Sequence, residues 1–385
     1  MRLLHFLLAV APLLLEGAPE LSLTSPTDYQ VFQRQFRNEG SVRITGSVKD
    51  APGAQVEVRL VGSKRKGEWR PVETIAQDAF DAVITKPSGG WYRCEARLTQ
   101  GGKTLAESVV AHVGVGEVFL VAGQSNSANH GEEKQKAKSG MVSSFDSLNW
   151  HPADDPQRGA SGTGGSFMPP LGDALAEKFG VPIGFIPIGI GATSVREWLP
   201  AGVPFPAPPT LVYRVRQLPD GRWESNGVAF TTLVSRQRQF GPGGFRAVLW
   251  HQGESDANQK DPTRTLPGSL YQEHLGRIIR DSRQAAGWDA PWFVAQVSYH
   301  VPGDEASADI RDAQAALWKS GLALPGPDSD ALKGELRERG GKGVHFSGPG
   351  LREHARRWAE RITPWRSEEH TSALQSLRRI SYAVF

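Results

Sequence analysis

Residues 117–126 read EVFLVAGQSN, and this stretch decides the fold of the larger part of the chain. Its first six residues are apolar apart from the leading glutamate, as is typical of a strand buried on both faces of a parallel sheet. Gly123 ends the strand, and Ser125 stands where a helix would begin. A serine in that position has its hydroxyl at the edge of the sheet and its backbone N–H at a helix N-terminus, where an anion is stabilised.

A second apolar strand, residues 247–250, leads into the segment His-Gln-Gly-Glu-Ser at 251–255. This segment brings an amide and a carboxylate to the same edge of the predicted sheet. A histidine that could complete the set lies far downstream, at His345. A nucleophile, a base and an oxyanion donor carried on separate strand ends are the arrangement that a serine esterase needs.

The pattern around these segments predicts two domains. Residues 20–113 contain short strands in which apolar and polar residues alternate, separated by turn residues, which indicates a small β-sandwich. Residues 114–365 alternate apolar strands with amphipathic helices, which indicates a parallel sheet covered on both faces. The region 200–222 is rich in proline at its start and is expected to be an irregular loop.

Both ends of the chain are set apart from the fold. Residues 1–18 contain one arginine, an apolar run and a small-residue exit, which predicts a signal peptide and a secreted or periplasmic protein without a membrane span. Residues 366–385 resemble the translation of a common sequencing adapter, and we exclude them as an artefact of assembly. The alternative is a genuine amphipathic tail.

Composition limits the partners and cofactors. With 44 Lys and Arg against 41 Asp and Glu, the net charge of +3 is too small to indicate a nucleic-acid partner. The single cysteine, Cys94, cannot form an internal disulfide and is expected in the core. The Cys and His residues show no metal-ligand spacing. We therefore expect neither a metal nor an organic cofactor.

Four motifs, taken in order, resemble those of the SGNH hydrolase superfamily. The likeness is greatest to the sialate O-acetylesterase group and to carbohydrate esterase family six, and it covers residues 116–363. The motifs are GQSN at 123–126, GIGATS at 189–194, WHQGES at 250–255 and GVHFS at 343–347. The resemblance implies a three-layer parallel-sheet (flavodoxin-like) α/β hydrolase domain preceded by a small all-β sandwich. It also implies removal of O-acetyl groups from a carbohydrate substrate.

The resemblance and the residue types together suggest individual roles. Ser125 is expected to be the nucleophile, although a serine at this position can also be a plain helix cap. His345 is expected to be the base. The backbone N–H groups of Ser125 and Gly191 and the amide of Gln252 are expected to form the oxyanion hole. The residues expected to contact substrate are Asn126, His130, Trp198 and His251, with Trp198 as a platform for a sugar ring.

The acid that orients His345 is the open question. The superfamily usually has aspartate three residues before the histidine, but this chain has Lys342. The first reading is that Glu254 serves instead, and Asp256, Asp328 and Asp330 are further candidates. The other two readings are a slow Ser–His dyad without an acid and a sequencing error at the lysine.

Two further hypotheses stay open beside the carbohydrate esterase: a catalytically impaired carbohydrate-binding protein, and an esterase for non-sugar esters. The oligomeric state is not predicted.

Overall fold

The computed structural model describes residues 17–62, 67–72, 74–75 and 79–382, with side chains described as far as Arg366. The apolar run of the predicted signal peptide, within residues 1–16, lies outside the described residues. The strands of the first part of the chain are β1 Glu20–Ser25, β2 Gln30–Gln33, β3 Glu39–Lys49, β4 Gln55–Val61, β5 Arg70–Val72, β6 Thr74–Ile75, β7 Ala79–Pro87, β8 Gly89–Gln100 and β9 Lys103–Gly123.

These strands form two β-sheets with an apolar core between them, here called the β-sandwich. One sheet has the order β1-β3-β7-β6, and the other is built from β5, β4, β8 and the first half of β9. Alternate residues of the strands point inward, so Val42, Ile44, Val58 and Leu98 are fully buried between the sheets. Cys94 lies in the same core, as expected, and burial raises the pKa of its thiol to about 12.

The strand β9 is continuous across both parts of the chain. Its first half pairs antiparallel with β8, and its second half pairs parallel with β12 and β16. The predicted domain boundary at residues 113 and 114 therefore falls inside one strand. The two parts are joined by a shared sheet, and Ser125 follows almost directly on the end of that strand.

The second part is a mixed α/β structure. Its main sheet has the order β11-β10-β12-β9-β16-β17-β18, in which β11 is antiparallel to β10 and the other neighbours are parallel. The region expected to be an irregular loop contains a small three-stranded sheet, β13-β15-β14. The strands are β10 Val142–Phe145, β11 Trp150–Pro152, β12 Ile183–Pro187, β13 Pro204–Phe205, β14 Val215–Gln217, β15 Trp223–Ser225, β16 Ala247–His251, β17 Trp292–Gln296 and β18 Leu324–Asp328.

Helices cover both faces of this sheet. Apolar side chains of α2, α3 and α4 belong to one buried cluster, and those of α1 and α6 belong to a second cluster on the other face. None of the described helices combines the length and apolar composition that a bilayer-crossing segment needs. The helices are α1 Met168–Phe179, α2 Val228–Phe240, α3 Gly268–Ala286, α4 Ala308–Lys319, α5 Glu338–Gly341 and α6 Gly348–Tyr382.

A buried charge cluster lies where the two parts meet. Glu117, in the middle of β9, accepts hydrogen bonds from Nε of Arg34 at 2.8 Å, of Arg246 at 2.9 Å and of Arg366 at 2.7 Å. Burial alone would raise the pKa of this carboxyl, but the three arginines outweigh it and lower the pKa to about 2. Arg366 is 2% exposed, so this first residue of the excluded tail is part of the folded structure.

Candidate active site

A cavity of about 670 Å³ opens at the carboxyl ends of the parallel strands. Ser125 follows β9, Gly191 follows β12, and Glu254 follows β16. The loop before α6 supplies His345. All four residues line the cavity. The sequence-based expectation that these segments meet at one edge of the sheet is therefore met for these residues.

The position of Ser125 is set by the turn that leaves β9. Gly123 has a φ of +126°, and a Cβ atom there would lie 2.1 Å from the carbonyl oxygen of His251, so only glycine fits. The backbone N–H of Gln124 donates to that same oxygen at 2.9 Å. Ser125 then begins a short 3₁₀ turn, Ser125–Ser127. The nucleophile candidate is thus fixed against the neighbouring strand β16.

His345 is paired with Glu338 rather than with Glu254. Oε1 of Glu338 lies 2.9 Å from Nδ1 of His345, and the backbone N–H of His345 donates to the same oxygen at 3.2 Å. The backbone N–H of Glu338 in turn donates to the carbonyl of His345 at 2.9 Å. Burial lowers the pKa of His345, while the Glu338 carboxylate acts in the opposite direction. The imidazole is therefore held on its Nδ1 side and neutral at neutral pH.

A buried arginine holds the loop that carries this pair. Arg337 is 1% exposed and donates to the carbonyls of Leu332, Ser329 and Val344 at 2.6, 2.8 and 2.7 Å. Its guanidinium also lies 3.9 Å from the ring centroid of Tyr299. Because Arg337 precedes Glu338 directly, these bonds fix the start of the loop as well as the residue before His345.

Glu254 lies at the cavity but binds other groups. Its Oε1 accepts a hydrogen bond from Nδ2 of Asn126 at 2.9 Å and lies 4.0 Å from Nδ1 of His251. Nδ2 of Asn126 also donates to the carbonyl of Val344 at 3.2 Å. Burial raises the pKa of Glu254 to about 7. The other three candidates are also placed elsewhere: Asp256 binds Ser194, and Asp328 and Asp330 bind Arg311.

Gln252 does not reach the cavity. It is fully buried, and its Nε2 donates to Oδ2 of Asp256 at 2.6 Å and to the carbonyl of Thr193 at 3.1 Å. A carboxylate is the stronger hydrogen-bond acceptor, which explains why the amide is drawn to Asp256. The expectation that this amide faces an oxyanion is not met by this arrangement.

Gly191 does line the cavity, and its N–H already has an acceptor. It donates to Oγ of Ser161 at 2.6 Å. Nε2 of His130 lies 3.2 Å from the same hydroxyl oxygen, and both residues line the cavity. The rings of His130 and His345 are 5.4 Å apart, and burial lowers the pKa of His130. His130 is the expected substrate contact that the structure does bring to the cavity.

The other expected substrate contacts are buried behind the cavity wall. Trp198 is fully buried, donates from Nε1 to the hydroxyl of Thr193 at 3.0 Å and packs edge-on against Trp250. His251 is 1% exposed, and burial lowers its pKa to about 3. Neither ring offers a face to a ligand, and Asn126 is used in the bonds described above. The expectation that Trp198 is a platform for a sugar ring is therefore wrong, because its ring is packed inside the apolar core.

Several residues at the cavity were not anticipated from the sequence, among them Glu338, Ser161, Arg214 and Arg339. Glu338 carried a usable signal, since a carboxylate stands before a glycine-rich turn that returns the chain to His345. The other three have no motif. No cluster of three or more His, Cys, Asp or Glu with metal-ligand geometry occurs among the residues that the structure describes.

One protein family matches the second part of the chain. The model of the family described as "Carbohydrate esterase, sialic acid-specific acetylesterase" matches residues 115–363. No match to a curated protein sequence was found.

Of two solved structures with some similarity to this chain, the first supports the fold. A structure of XAC1771, a carbohydrate acetylesterase from Xanthomonas citri, is 18% identical with a TM-score of 0.52, and covers 89% of this chain and 74% of its own. A carbohydrate esterase family 2 enzyme from Corynascus thermopiles (Myceliophthora fergusii) is 10% identical with a TM-score of 0.35, and covers 89% of this chain and 98% of its own.

Proposed function

Because this chain belongs to the carbohydrate esterase family of sialic acid-specific acetylesterases, we propose that it hydrolyses O-acetyl esters of carbohydrates with Ser125 as the nucleophile. One observation carries the proposal: Ser125 and His345 line one cavity, and the carboxylate of Glu338 holds Nδ1 of that histidine. We further assign the catalytic domain to the three-layer SGNH class and place the protein outside the cytoplasm, on the strength of its motifs and its N-terminal sequence.

The reaction proceeds in two halves. The hydroxyl oxygen of Ser125 attacks the acetyl carbonyl while Nε2 of His345 takes the hydroxyl proton. A tetrahedral oxyanion forms. When the intermediate collapses, the bond to the sugar oxygen breaks and His345 gives its proton to that oxygen. The sugar alcohol leaves and an acetyl-serine remains. His345 then activates a water molecule, which releases acetate and restores the serine.

Glu338 acts through the histidine. Its carboxylate accepts a hydrogen bond from the Nδ1–H of His345, so the neutral ring keeps its hydrogen on Nδ1, has a free lone pair on Nε2 and can accept the serine proton. It also stabilises the imidazolium that exists between the two proton transfers. The impaired binding protein was considered because Lys342 replaces the usual acid. Glu338 supplies a carboxylate to His345 from the same loop, so Lys342 is no longer an argument against catalysis. This favours an active enzyme over the binding protein.

The cavity wall favours a polar alcohol over a long acyl chain. Arg214, Arg339 and Lys342 line it together with the two carboxylates already described. Charged groups of this kind bind hydroxyl and carboxylate groups of a sugar, whereas a lipid-like ester would need an apolar channel. The non-sugar esterase is therefore the less favoured alternative.

The test is acetate release by the full chain from 4-nitrophenyl acetate and from an O-acetylated sialic acid. We expect the Ser125→Ala protein to lose at least about 10³-fold of the wild-type rate. Ser269→Ala, in the exposed first turn of α3, is a matched control that should keep it. Equal rates for wild type and Ser125→Ala, with both proteins folded, would remove the nucleophile assignment. Activity on 4-nitrophenyl acetate alone would favour the non-sugar esterase.

A further inference from the structure

The buried position of Gln252 leaves the oxyanion hole without the side-chain donor that the motif suggests. Its amide nitrogen has two hydrogens, and three acceptors inside the protein lie within hydrogen-bond distance: Oδ2 of Asp256 at 2.6 Å, the carbonyl of Thr193 at 3.1 Å and Oε1 of Gln124 at 3.3 Å. Freeing the amide would leave the buried carboxylate of Asp256 without one of its partners, which is costly. The donor must then come from another group that faces the cavity.

Ser161 is a hydroxyl in that place. Its oxygen lies 2.6 Å from the backbone nitrogen of Gly191 and 3.2 Å from Nε2 of His130, and Ser161 lines the cavity together with Ser125. The Gly191 N–H must donate, and the imidazole of His130 donates as well in the tautomer that carries its hydrogen on Nε2, which is the tautomer that the inference requires. A hydroxyl oxygen that accepts from both neighbours keeps its own hydrogen for a third partner in the cavity.

The hydroxyl is held firmly from behind. The backbone N–H of Ser161 donates to the carbonyl of Gly189 at 2.9 Å, and its carbonyl accepts from the backbone N–H of Asn129 at 2.9 Å. The imidazole of His130 packs so closely that a Cβ on Gly191 would lie 2.6 Å from Nε2. A donor fixed before the reaction is the kind that stabilises a developing charge well, since it costs no reorganisation.

We propose that Ser161 donates a hydrogen bond to the oxyanion of the tetrahedral intermediate, with His130 as the positioning residue behind it. The inference rests on the proposed esterase function. The O–H bond of Ser161 stays intact throughout, so no proton is transferred at this site. The N–H of Gly191 acts on the oxyanion through the serine hydroxyl, because each donor polarises the next one along a chain of hydrogen bonds.

The first experiment compares kcat and KM of wild type, Ser161→Ala and Ser161→Thr on 4-nitrophenyl acetate. We expect Ser161→Ala to lower kcat by about 100-fold, the cost of one oxyanion donor, with KM within about twofold. Ser161→Thr keeps a hydroxyl and should stay within about tenfold of wild type. Thr163→Ala, an exposed hydroxyl deletion in the same loop, is the matched control. Thermal unfolding confirms that each variant is folded.

A second measurement is binding of methylboronic acid, which forms a tetrahedral anion on a serine hydroxyl and should bind Ser161→Ala more than tenfold more weakly. An unchanged kcat in Ser161→Ala overturns the inference. A higher kcat, with tighter boronate binding, also overturns it and means that Ser161 blocks the N–H of Gly191. Failure of the proposed function is a different result, since wild type would then be no faster than Ser125→Ala.

Discussion

Oε1 of Glu338 lies 2.9 Å from Nδ1 of His345, seven positions further along the chain. The two residues are joined a second time through their backbones, because the N–H of Glu338 donates to the carbonyl of His345. The intervening residues include Arg339 and Gly340 in the left-handed region, which turns the chain back on itself. The loop before α6 thus carries both the base and its carboxylate partner.

Replacing Glu338 should impair turnover more than replacing Glu254 does. Glu338→Gln keeps the shape of the side chain but removes the charge that stabilises the imidazolium, so we expect kcat to fall by between about 10² and 10⁴. Glu254→Gln resembles the protonated form, which a pKa of about 7 makes a large part of the population at neutral pH, so its kcat should fall by less than about tenfold. Steady-state kinetics on 4-nitrophenyl acetate measures both.

A larger decrease of kcat in Glu254→Gln than in Glu338→Gln would mean that Glu254 is the acid that orients His345. Equal and small losses would instead indicate that Ser125 and His345 work as a dyad. A folding control is needed for both variants, and near-ultraviolet circular dichroism provides it because tryptophans surround the sheet.

The pH profile should report the environment of His345. The base must be unprotonated to act, so kcat/KM rises with pH through the pKa of the histidine and is flat above it. Because burial lowers the pKa of His345, we expect half-maximal activity below pH 6.5. In Glu338→Gln the carboxylate that raises this pKa is gone, so the midpoint should move to still lower pH while the plateau drops. A midpoint that moves upward would contradict the pairing.

Gly343→Ala should displace Glu338 without unfolding the protein. A Cβ at this position would lie 2.2 Å from Cγ of Glu338 and 2.5 Å from its Oε1. The side chain must therefore shift, and we expect kcat to fall by at least about tenfold while KM changes little. Gly90→Ala is the matched control, since a Cβ there meets nothing within 4 Å. Wild-type kcat in Gly343→Ala would mean that the precise position of Glu338 is unimportant.

The buried carboxylate of Glu117 should make stability depend on acid. Its pKa is about 2 in the folded protein against 4.5 for a free side chain, a difference worth about 3 kcal/mol. This contribution is complete above pH 4.5 and is lost as the pH falls from there towards 2. Glu117→Gln removes the buried anion that Arg34, Arg246 and Arg366 all contact, so we expect it to cost about 3–5 kcal/mol at pH 6.

Urea unfolding at pH 6 and at pH 3.5 tests this, with Glu39→Gln, an exposed glutamate on β3, as the control. The gap between wild type and Glu117→Gln should narrow by about 1 kcal/mol at the lower pH. A gap that is the same at both values would show that the charge of Glu117 does not carry the effect.

The sequence is sufficient to predict which strand ends meet at the cavity, because parallel strands are arranged in a regular way. Parallel strands that are buried on both faces read as continuous apolar runs, and their carboxyl ends share one edge of the sheet. Residues that directly follow such runs, as Ser125 follows β9, can therefore be placed together without a structure. The same logic applies to Gly191 after β12 and to Glu254 after β16.

The orientation of side chains beyond those ends could not be derived in the same way. Whether Gln252 faces the cavity depends on Asp256, a carboxylate on the next turn whose position no motif specifies. The position of Trp198 is equally ambiguous in the sequence, because an aromatic ring can either stack on a sugar or pack in the core. In the structure it packs against Trp250 in the core. Glu338 was missed because the expected spacing assumes a single short turn before the histidine.

The 21-residue strand β9 has a consequence for how the two parts of the molecule can be treated. This one strand runs from the outer end of the β-sandwich to Gly123, the residue before Gln124, so the β-sandwich and the turn that holds Ser125 share a single strand. A truncation that starts the chain at residue 113 would remove β2, which pairs with residues 113–116 of β9, and would take Arg34 away from the carboxylate of Glu117. The sandwich is therefore part of the scaffold that aims Ser125, and grafting the catalytic part onto another protein requires carrying the whole strand with it.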